Sequence, residues 1–310
     1  MRDVLLVVGN GISIDLRCEF PQFHALNSSA PWEWDFMILQ GANGIHWRDA
    51  FPEFSAYCDK NLESIKGDKF EIFRNIRLSG NTLLRLEARH FLALAFAFYD
   101  TQVNPPRSWK WSQLIEKFRG RIFELVSFNY DTNVERALLH SHSLYALNGV
   151  HPEHPSVFKP HGCNQIEGAE NGIVLQDENG NPHFGYPLRA LLEGNDFNSF
   201  QRLTYSRTMM PRKESYCILP HEENVFSHFQ MQSALWEGIA ERYSNVRRCL
   251  IIGHSYGAAD KPEIDRIINS LPLEAVVHVC NPYPSAELIQ FVRSSGRECI
   301  VDSGVPEIAP

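Results

Sequence analysis

Residues 248–280 read RCLIIGHSYGAADKPEIDRIINSLPLEAVVHVC and carry the clearest fold signal in the chain. A largely apolar run, Arg248–Ile252, is followed by a helical pattern over Pro262–Ser270 and by a second apolar run, Ala275–Cys280. Runs that are apolar throughout suit strands covered on both faces, which is typical of parallel sheets. This stretch therefore predicts two parallel strands joined by a helix.

The alternation of strands and helices continues on both sides of this stretch. A helical pattern, Ser285–Ser295, and a short strand, Cys299–Val301, follow it. Earlier strand signals are Val4–Val8, Ile122–Phe128 and Ser156–Lys159. We therefore predict an α/β fold, with a doubly wound, mostly parallel Rossmann-like sheet and a helical insertion.

The remaining chain is less regular. Residues at about 31–119 include NTLLRLEARHFLALAFAFYD, which has apolar residues at helical spacing, and we expect them to form the helical insertion. Breaks at Gly, Asn and Pro predict a loop-rich region at about 163–226, and Ser227–Tyr243 predicts a helix. We expect a single domain over residues 1–310.

Composition excludes some classes of protein. Hydrophobic residues make up 44% of the chain and charged residues 21%, as in an ordinary globular protein. The net charge of −8 argues against direct binding of nucleic acid, which needs a clustered basic surface. The first apolar run is too short for a signal peptide, and no segment approaches the roughly 20 apolar residues that span a bilayer. We therefore expect a cytoplasmic protein that binds neither nucleic acid nor membrane.

The cysteine pattern argues against a structural metal site. The chain has seven cysteines, an odd number, and no C-x-x-C pair. Disulfide frameworks and zinc ribbons need paired spacing. We therefore expect thiols in a reducing compartment and no bound metal.

The segment from Gly253 to Gly257 has the pattern Gly-x-Ser-x-Gly, which carries the nucleophile of α/β-hydrolases. In those enzymes an acid and then a histidine follow the serine along the chain. After Ser255 only His278 remains, and it lies inside an apolar run. A serine hydrolase that uses Ser255 is therefore the weaker alternative, and a turn that holds a ligand is preferred.

Small or polar residues follow several of the predicted strands. In an open α/β sheet, ligands bind beyond the carboxyl ends of the strands, so we expect these residues to converge. The first of these turns is a candidate for binding phosphate, because glycines let the backbone approach a ligand where a helix starts. It is incomplete as a dinucleotide fingerprint, because Ile14 replaces the third glycine of G-x-G-x-x-G. The segments are Gly9-Asn10-Gly11-Ile12-Ser13, Asn129-Tyr130-Asp131, His161-Gly162, Gly253-His254-Ser255 and Asn281.

Taken in order, these segments resemble the motifs of the sirtuin-like superfamily. The first turn is similar to the family's Gly-Ala-Gly-Ile-Ser, with Asn10 in place of alanine. The chain lacks the cysteine pairs of the zinc-containing deacylases. Its Gly-His-Ser-Tyr-Gly-x-x-Asp segment and its helical insertion look more like the prokaryotic NAD-hydrolysing branch of antiphage defence. A related abortive-infection family has similar first and last motifs. The other similar segments are Phe20-Pro21-Gln22-Phe23, Phe128-Asn129-Tyr130-Asp131, His161-Gly162, Gly253-His254-Ser255 and Asn281.

The resemblance implies cleavage of the nicotinamide–ribose bond of NAD⁺, with nicotinamide and ADP-ribose as products. Asn129 suits the ribose, because an amide donates and accepts hydrogen bonds without adding charge. His161 suits the role of base, because imidazole titrates near neutral pH. Asp131 is expected to bond the nicotinamide amide or to orient Asn129. The bland alternative is that Asn129 and Asp131 cap the following helix.

The remaining candidate residues are expected to hold NAD⁺. The resemblance places Asn281 on the adenosine, and the hydroxyl of Ser255 suits phosphate or ribose oxygens at the start of a helix. Asp260 is expected to cap the next helix. The predicted cofactor-binding set is Gly9, Asn10, Gly11, Ser13, Gly253, His254, Ser255 and Asn281.

Two other functions remain open beside hydrolysis of NAD⁺. One is a noncatalytic module that binds NAD or ADP-ribose, and the other is a deacylase, which the missing zinc pairs disfavour. An unrestrained NAD⁺ hydrolase would be toxic, and the predicted domain leaves no segment for a sensor. We therefore expect a homo-oligomer controlled by a separate sensor or ATPase, such as a HerA-like or Argonaute-like protein.

Overall fold

The computed structural model describes residues 2–40, 43–141, 144–147, 151–168 and 236–307, with short pieces at 175–176, 182–183, 200–202, 209, 215–217 and 219. By their contacts the residues of the chain form two compact units. The first unit comprises Met1–Ala25, Val103–Pro160 and Met231–Pro310, and the second comprises Leu26–Gln102 and His161–Gln230. The single domain predicted over 1–310 stays a prediction.

The described strands and helices are numbered in chain order. The strands are β1 (Val4–Val8), β2 (Met37–Gln40), β3 (Asn43–His46), β4 (Ile122–Ser127), β5 (Ala146–Leu147), β6 (Ser156–Phe158), β7 (Gly162–Gly168), β8 (Leu175–Gln176), β9 (Pro182–His183), β10 (Phe200–Arg202), β11 (Ser215–Cys217), β12 (Arg248–Ile252), β13 (Val276–Cys280) and β14 (Glu298–Asp302). The helices are α1 (Gly11–Glu19), α2 (Trp47–Ala50), α3 (Pro52–Asn61), α4 (Glu71–Leu78), α5 (Thr82–Gln102), α6 (Lys110–Lys117), α7 (Asn133–Ser141), α8 (Ile239–Arg242), α9 (Lys261–Ser270) and α10 (Ala286–Ser294).

The first unit is built on a seven-stranded sheet in the order β14-β13-β12-β1-β4-β6-β5. Each neighbouring pair in this sheet is parallel. From β1 the chain adds β4, then β5 at the edge of the sheet and β6 between β4 and β5. It then returns to the other side of β1 for β12, β13 and β14. This is a doubly wound, Rossmann-like α/β sheet, and it confirms the predicted fold class.

The two faces of this sheet explain why the strands are apolar throughout. Leu5, Val7 and Ile251 pack in one core cluster with residues of α8, α9 and α10. Leu6 and Ile252, which point to the opposite face, line a small apolar cavity with residues of α1, α6 and α7. Burial on both faces removes the alternation of polar and apolar residues that a one-sided sheet would show.

A buried polar cluster holds α8 against the sheet. Glu124, in β4, is 0% exposed. It accepts hydrogen bonds from Tyr243 Oη at 2.5 Å and from Arg242 Nε at 3.0 Å. The Arg242 guanidinium also lies 5.2 Å from the ring centre of Phe158 in β6. The charge of Glu124 is thus paired inside the protein, as a buried charge requires.

The second unit contains the long helix α5, most of whose side chains are buried. Strands β10, β7 and β11 form a three-stranded antiparallel sheet, and β2 and β3 form a hairpin. The aromatic residues before α5 belong to its core: Trp34 stacks on Tyr99 with ring centres 5.5 Å apart, and Phe54 lies 4.6 Å from Phe91.

The boundaries of the predicted insertion differ from those of the second unit. The prediction over about 31–119 included α6, which belongs to the first unit. Much of the loop-rich prediction at about 163–226 lies outside the described residues, as do residues 227–235 of the predicted helix, whose described part contains α8. Within the described residues, none of the helices is long and apolar enough to cross a membrane.

A buried carboxylate joins two helices of the second unit. Glu87, in α5, is 7% exposed, and its Oε2 accepts a hydrogen bond from the Phe54 amide of α3 at 2.8 Å. Burial raises the pKa of Glu87 to about 7, and the Phe54 hydrogen bond opposes that rise. The folded state therefore binds this proton more tightly than the unfolded state, in which the pKa lies near the ordinary 4.5.

The expected consequence is a loss of stability as the pH rises through this range. The contribution of the Glu87 proton is complete below about pH 4.5 and is lost as the pH rises to about 7. Glu87→Gln keeps an acceptor for Phe54 but removes the charge. The unfolding free energy of the variant minus that of wild type should therefore increase by about 2 kcal/mol from pH 5 to pH 8. Urea unfolding at both pH values measures this difference. The exposed Glu63→Gln controls for the loss of one charge, and an equal gain in that variant would contradict the assignment.

Candidate functional site

The carboxyl ends of β1 and β12 meet at the point where the strand order reverses. Val8 pairs with Ile252, so the turn after β1 and the turn after β12 begin side by side. Ligands of doubly wound sheets bind in the crevice at this position. The structure thus brings together two of the predicted segments, Gly9 to Ser13 and Gly253 to Ser255.

The glycines of these two turns allow their backbones to touch. Gly9 N donates to Ile252 O at 2.9 Å, and Gly11 N donates to Gly253 O at 2.8 Å. A Cβ on Gly11 would lie 2.6 Å from Gly253 O, and a Cβ on Gly253 would lie 2.5 Å from Ile12 N. Gly253 also has a φ of +60°, which side chains rarely adopt. These glycines are therefore needed for the contact between the turns.

Backbone N–H groups of the first turn already donate hydrogen bonds within the protein. Besides Gly9 and Gly11, Ile12 N donates to Gly9 O at 3.2 Å and Ser13 N donates to Asn10 O at 3.0 Å. Phosphate binding by this turn stays a prediction. A phosphate bound there would depend on groups other than these four amides.

Asn129 is fixed at one end of its amide and open at the other. Its Nδ2 donates to Gly9 O at 3.2 Å, which ties the end of β4 to the turn after β1. The residue is 5% exposed, and in the described part of the chain no group hydrogen-bonds to its Oδ1. A buried polar atom without a partner is costly, so this oxygen is available to a ligand at the carboxyl end of β4. Asn129 does not cap α7.

Ser127, the last residue of β4, was missed by the sequence reasoning. It is 1% exposed, and its Oγ has no hydrogen-bond partner among the described residues. The signal was a hydroxyl at the end of an otherwise apolar strand. Ser127 is therefore a second polar group at the carboxyl end of β4.

Asp131 holds the start of α7 against α1. Its Oδ2 accepts from Ser13 Oγ at 2.7 Å, and its Oδ1 accepts from Asn133 N at 3.1 Å. Asn133 Nδ2 also donates to Ser13 Oγ at 3.2 Å. These bonds match the capping alternative for Asp131. A role of Asp131 or Ser13 toward a ligand stays a prediction.

Lys159 was also missed and is buried beside this loop. It is 2% exposed, and its Nζ donates to Asp131 O at 2.6 Å and to Glu135 Oε1 at 2.5 Å. A lysine at the end of an apolar strand was the available signal, because a buried ammonium needs partners. Lys159 thus connects the end of β6 to the loop that carries Asn129.

His254 lies in the turn after β12 and accepts a hydrogen bond at one of its two ring nitrogens. Its Nδ1 accepts from Tyr256 N at 2.9 Å, which places the proton of a neutral ring on Nε2. Nε2 lies 3.1 Å from Asp260 Oδ2, and the residue is 2% exposed. The predicted contact of His254 with a ligand stays a prediction. Asp260 precedes α9, but its side chain forms no capping hydrogen bond.

Ser255 lies on an exposed part of the turn and not at the start of a helix, as the sequence reasoning had it. The next helix, α9, begins only at Lys261. In a nucleophile elbow the helix follows the serine directly, and the serine itself is strained. Here the positive φ of +57° belongs to Tyr256. In the described residues, no hydrogen bond joins Ser255 to a histidine.

Tyr256 closes the far side of this turn. Its hydroxyl bonds Asp265, and Lys261 Nζ donates to it at 2.7 Å. Burial raises the pKa of Tyr256 to about 12, and the bond to Asp265 adds to the rise. The hydroxyl therefore stays protonated and holds the turn against α9.

Asn281 ties the end of β13 to the same turn. Its Nδ2 donates to His254 O at 3.0 Å, and its Oδ1 accepts from Tyr283 N at 2.9 Å. Its backbone N–H donates to Asp302 O at 2.9 Å. The side chain is thus used within the protein. Its predicted contact with adenosine stays a prediction.

His161 belongs to the second unit, where it directly precedes β7. Its role as a base stays a prediction.

The described residues contain no group of three or more His, Cys, Asp or Glu side chains arranged to hold a metal ion. The cysteines are free thiols, and burial raises the pKa of Cys58 and of Cys249 to about 12. The absence of zinc stays a prediction for metal analysis.

No protein-family model and no curated protein matches the chain. The fold defines the class of this protein as Rossmann-like α/β, and polar side chains lie at the carboxyl ends of its strands near the switch point.

The contact between the two turns predicts a position-specific cost. Gly253→Ala should lower the unfolding free energy by on the order of 3 kcal/mol, because the left-handed backbone and the overlap with Ile12 N both oppose a Cβ. Gly257→Ala is the matched control, because its Cβ would meet only Ser255 Oγ at 3.6 Å. Thermal or urea unfolding measures both variants, and equal losses would contradict this role of Gly253.

Proposed function

We propose that the protein is an NAD⁺ glycohydrolase that cleaves the nicotinamide–ribose bond to give nicotinamide and ADP-ribose. The observation that carries the proposal is Asn129 Oδ1, a buried acceptor without a partner among the described residues, at the carboxyl end of β4. It lies at the crevice where doubly wound sheets bind dinucleotides. The resemblance of the sequence motifs supplies the choice of NAD⁺.

The reaction makes modest demands on the protein. As nicotinamide leaves, positive charge develops on the ribose, and water then attacks the anomeric carbon and releases a proton. In the proposed site Asn129 Oδ1 accepts from a ribose hydroxyl, and its dipole lies beside the developing charge. The bond from Asn129 Nδ2 to Gly9 O fixes the amide before the substrate arrives, so no reorganisation is needed.

The other predicted residues take supporting roles in this proposal. His161 accepts the proton of the attacking water. Asp131 holds the loop that carries Asn129, through its bonds to Ser13 and Asn133. The exposed hydroxyl of Ser255 donates to an oxygen of the dinucleotide and is not a nucleophile.

The biological setting is part of the same proposal. The protein acts in the cytoplasm as an effector of antiphage defence that depletes NAD⁺. It works as a homo-oligomer under the control of a separate sensor or ATPase of the HerA-like or Argonaute-like kind. The support is the resemblance to the prokaryotic NAD-hydrolysing branch.

Asn129→Ala tests the observation that carries the proposal. Wild-type protein isolated with its cellular partners should release nicotinamide from NAD⁺. The variant should lose about 10²-fold or more in kcat, because the acceptor acts on the developing charge. Chromatography of nicotinamide measures the rate, and thermal unfolding checks the fold. Asn269→Ala, at an exposed position in α9, is the control and should keep full activity.

The outcomes separate the proposal from its alternatives. Binding of NAD⁺ or ADP-ribose by calorimetry without turnover, in protein isolated with its cellular partners, would favour the noncatalytic module. Full activity of Asn129→Ala would remove the basis of the proposed site.

Ser255→Ala and His161→Ala distinguish a ligand-holding turn from a nucleophile. Loss of one hydrogen bond to a charged oxygen, about 1.5–3 kcal/mol, should weaken NAD⁺ binding by roughly ten- to a hundredfold in Ser255→Ala and leave turnover at saturating NAD⁺. His161→Ala should bind NAD⁺ but lose the chemical step. Covalent labelling of Ser255 by a fluorophosphonate, or full activity of His161→Ala, would contradict these assignments.

A further inference from the structure

An exposed aromatic side chain follows β13 on a rigid turn. Tyr283 is 88% exposed, and it stands between Pro282 and Pro284. Its amide is held by Asn281 Oδ1, and Asn281 in turn is held by His254 O. Within the described residues, the ring of Tyr283 takes part in no aromatic or hydrogen-bonded contact. The backbone of this residue is thus fixed while its ring stays available.

The position of Tyr283 matches one end of a dinucleotide. Parallel neighbours lie about 4.8 Å apart, so the three steps from β4 through β1 and β12 to β13 span about 14 Å. Asn129 stands at the β4 end of this span. A dinucleotide crosses the switch point with one nucleoside on each half of the sheet. When the nicotinamide riboside lies at Asn129, the adenosine therefore lies on the side of β12 and β13.

Tyrosine at this position has the chemistry to bind a base. A purine presents two flat π faces, and stacking on an aromatic ring does not depend on hydrogen-bond complementarity. The flanking prolines restrict the backbone before binding, so little conformational entropy of the turn is lost. Through its two side-chain hydrogen bonds, Asn281 links the backbone of Tyr283 to the turn after β12.

We infer that Tyr283 stacks on the adenine of the dinucleotide and makes the enzyme prefer NAD⁺ over nicotinamide mononucleotide. This inference rests on the proposed hydrolysis of NAD⁺. The mononucleotide contains the scissile bond but lacks the adenosine. Comparing the two substrates therefore separates recognition of adenosine from cleavage of the nicotinamide–ribose bond.

The test compares both substrates in wild type, Tyr283→Ala, Tyr283→Phe and Leu273→Ala. Tyr283→Ala should raise KM for NAD⁺ about tenfold or more, with kcat and the hydrolysis of the mononucleotide unchanged. Tyr283→Phe keeps the ring and should keep the wild-type KM. Leu273 is also large, apolar and 67% exposed, but it precedes β13 and so lies near the amino end of that strand. Leu273→Ala should therefore leave the hydrolysis of both substrates unchanged.

The possible failures are distinct. If wild type isolated with its cellular partners hydrolyses neither substrate, the proposed function fails. If wild type hydrolyses NAD⁺ and Tyr283→Ala keeps its KM, the function stands and the inference about Tyr283 is wrong. Equal loss on both substrates, with a change of oligomeric mass in analytical ultracentrifugation, would instead assign Tyr283 to a protein interface and would also overturn the inference.

Discussion

The contact between the backbones of two turns organises the whole candidate site. Gly11 donates to Gly253, and neither position has room for a Cβ. Because these two positions carry no side chains, the turns after β1 and β12 come close enough for their backbones to form a hydrogen bond. This closeness places Gly9 O where Asn129 can reach it from β4. The polar groups at the carboxyl edge of the sheet are therefore positioned by main chain, which varies less in geometry than side chains do.

Most of the polar residues at this edge bond to one another. Asp131, Ser13 and Asn133 form one network, and Lys159 and Glu135 form a buried ion pair beside it. His254 Nδ1 accepts a hydrogen bond from the Tyr256 amide. Such satisfied groups rigidify a site. Asn129 Oδ1 is, by contrast, a buried acceptor without a hydrogen-bond partner among the described residues, as is Ser127 Oγ. A neutral group can stay unbonded at lower cost than a charge. Preorganised dipoles of this kind suit a reaction in which positive charge develops.

Sequence reasoning succeeded where burial determines the pattern. The strands Val4–Val8 and Arg248–Ile252 were predicted at their observed bounds, because strands covered on both faces leave an unbroken apolar run. It failed where the cause is a distant contact. That Gly253 is required by Ile12, or that Lys159 reaches Asp131 and Glu135, depends on chain segments far apart in sequence. The helix α6 has an ordinary amphipathic pattern, so nothing local assigned it to the sheet and not to the insertion.

The order in which the strands can pair during synthesis follows from their order along the chain. The central strand β1 pairs on one side with β4 and on the other with β12, so Val4 lies beside both Ile122 and Arg248. During synthesis from the amino end, the second edge of β1 has no strand to pair with until Arg248–Ile252 has been made. Contacts this distant slow folding, and an apolar strand with an open edge is prone to aggregate. Newly made chains should therefore depend on chaperones until β12 is available, and truncations that remove β12 should accumulate as insoluble protein.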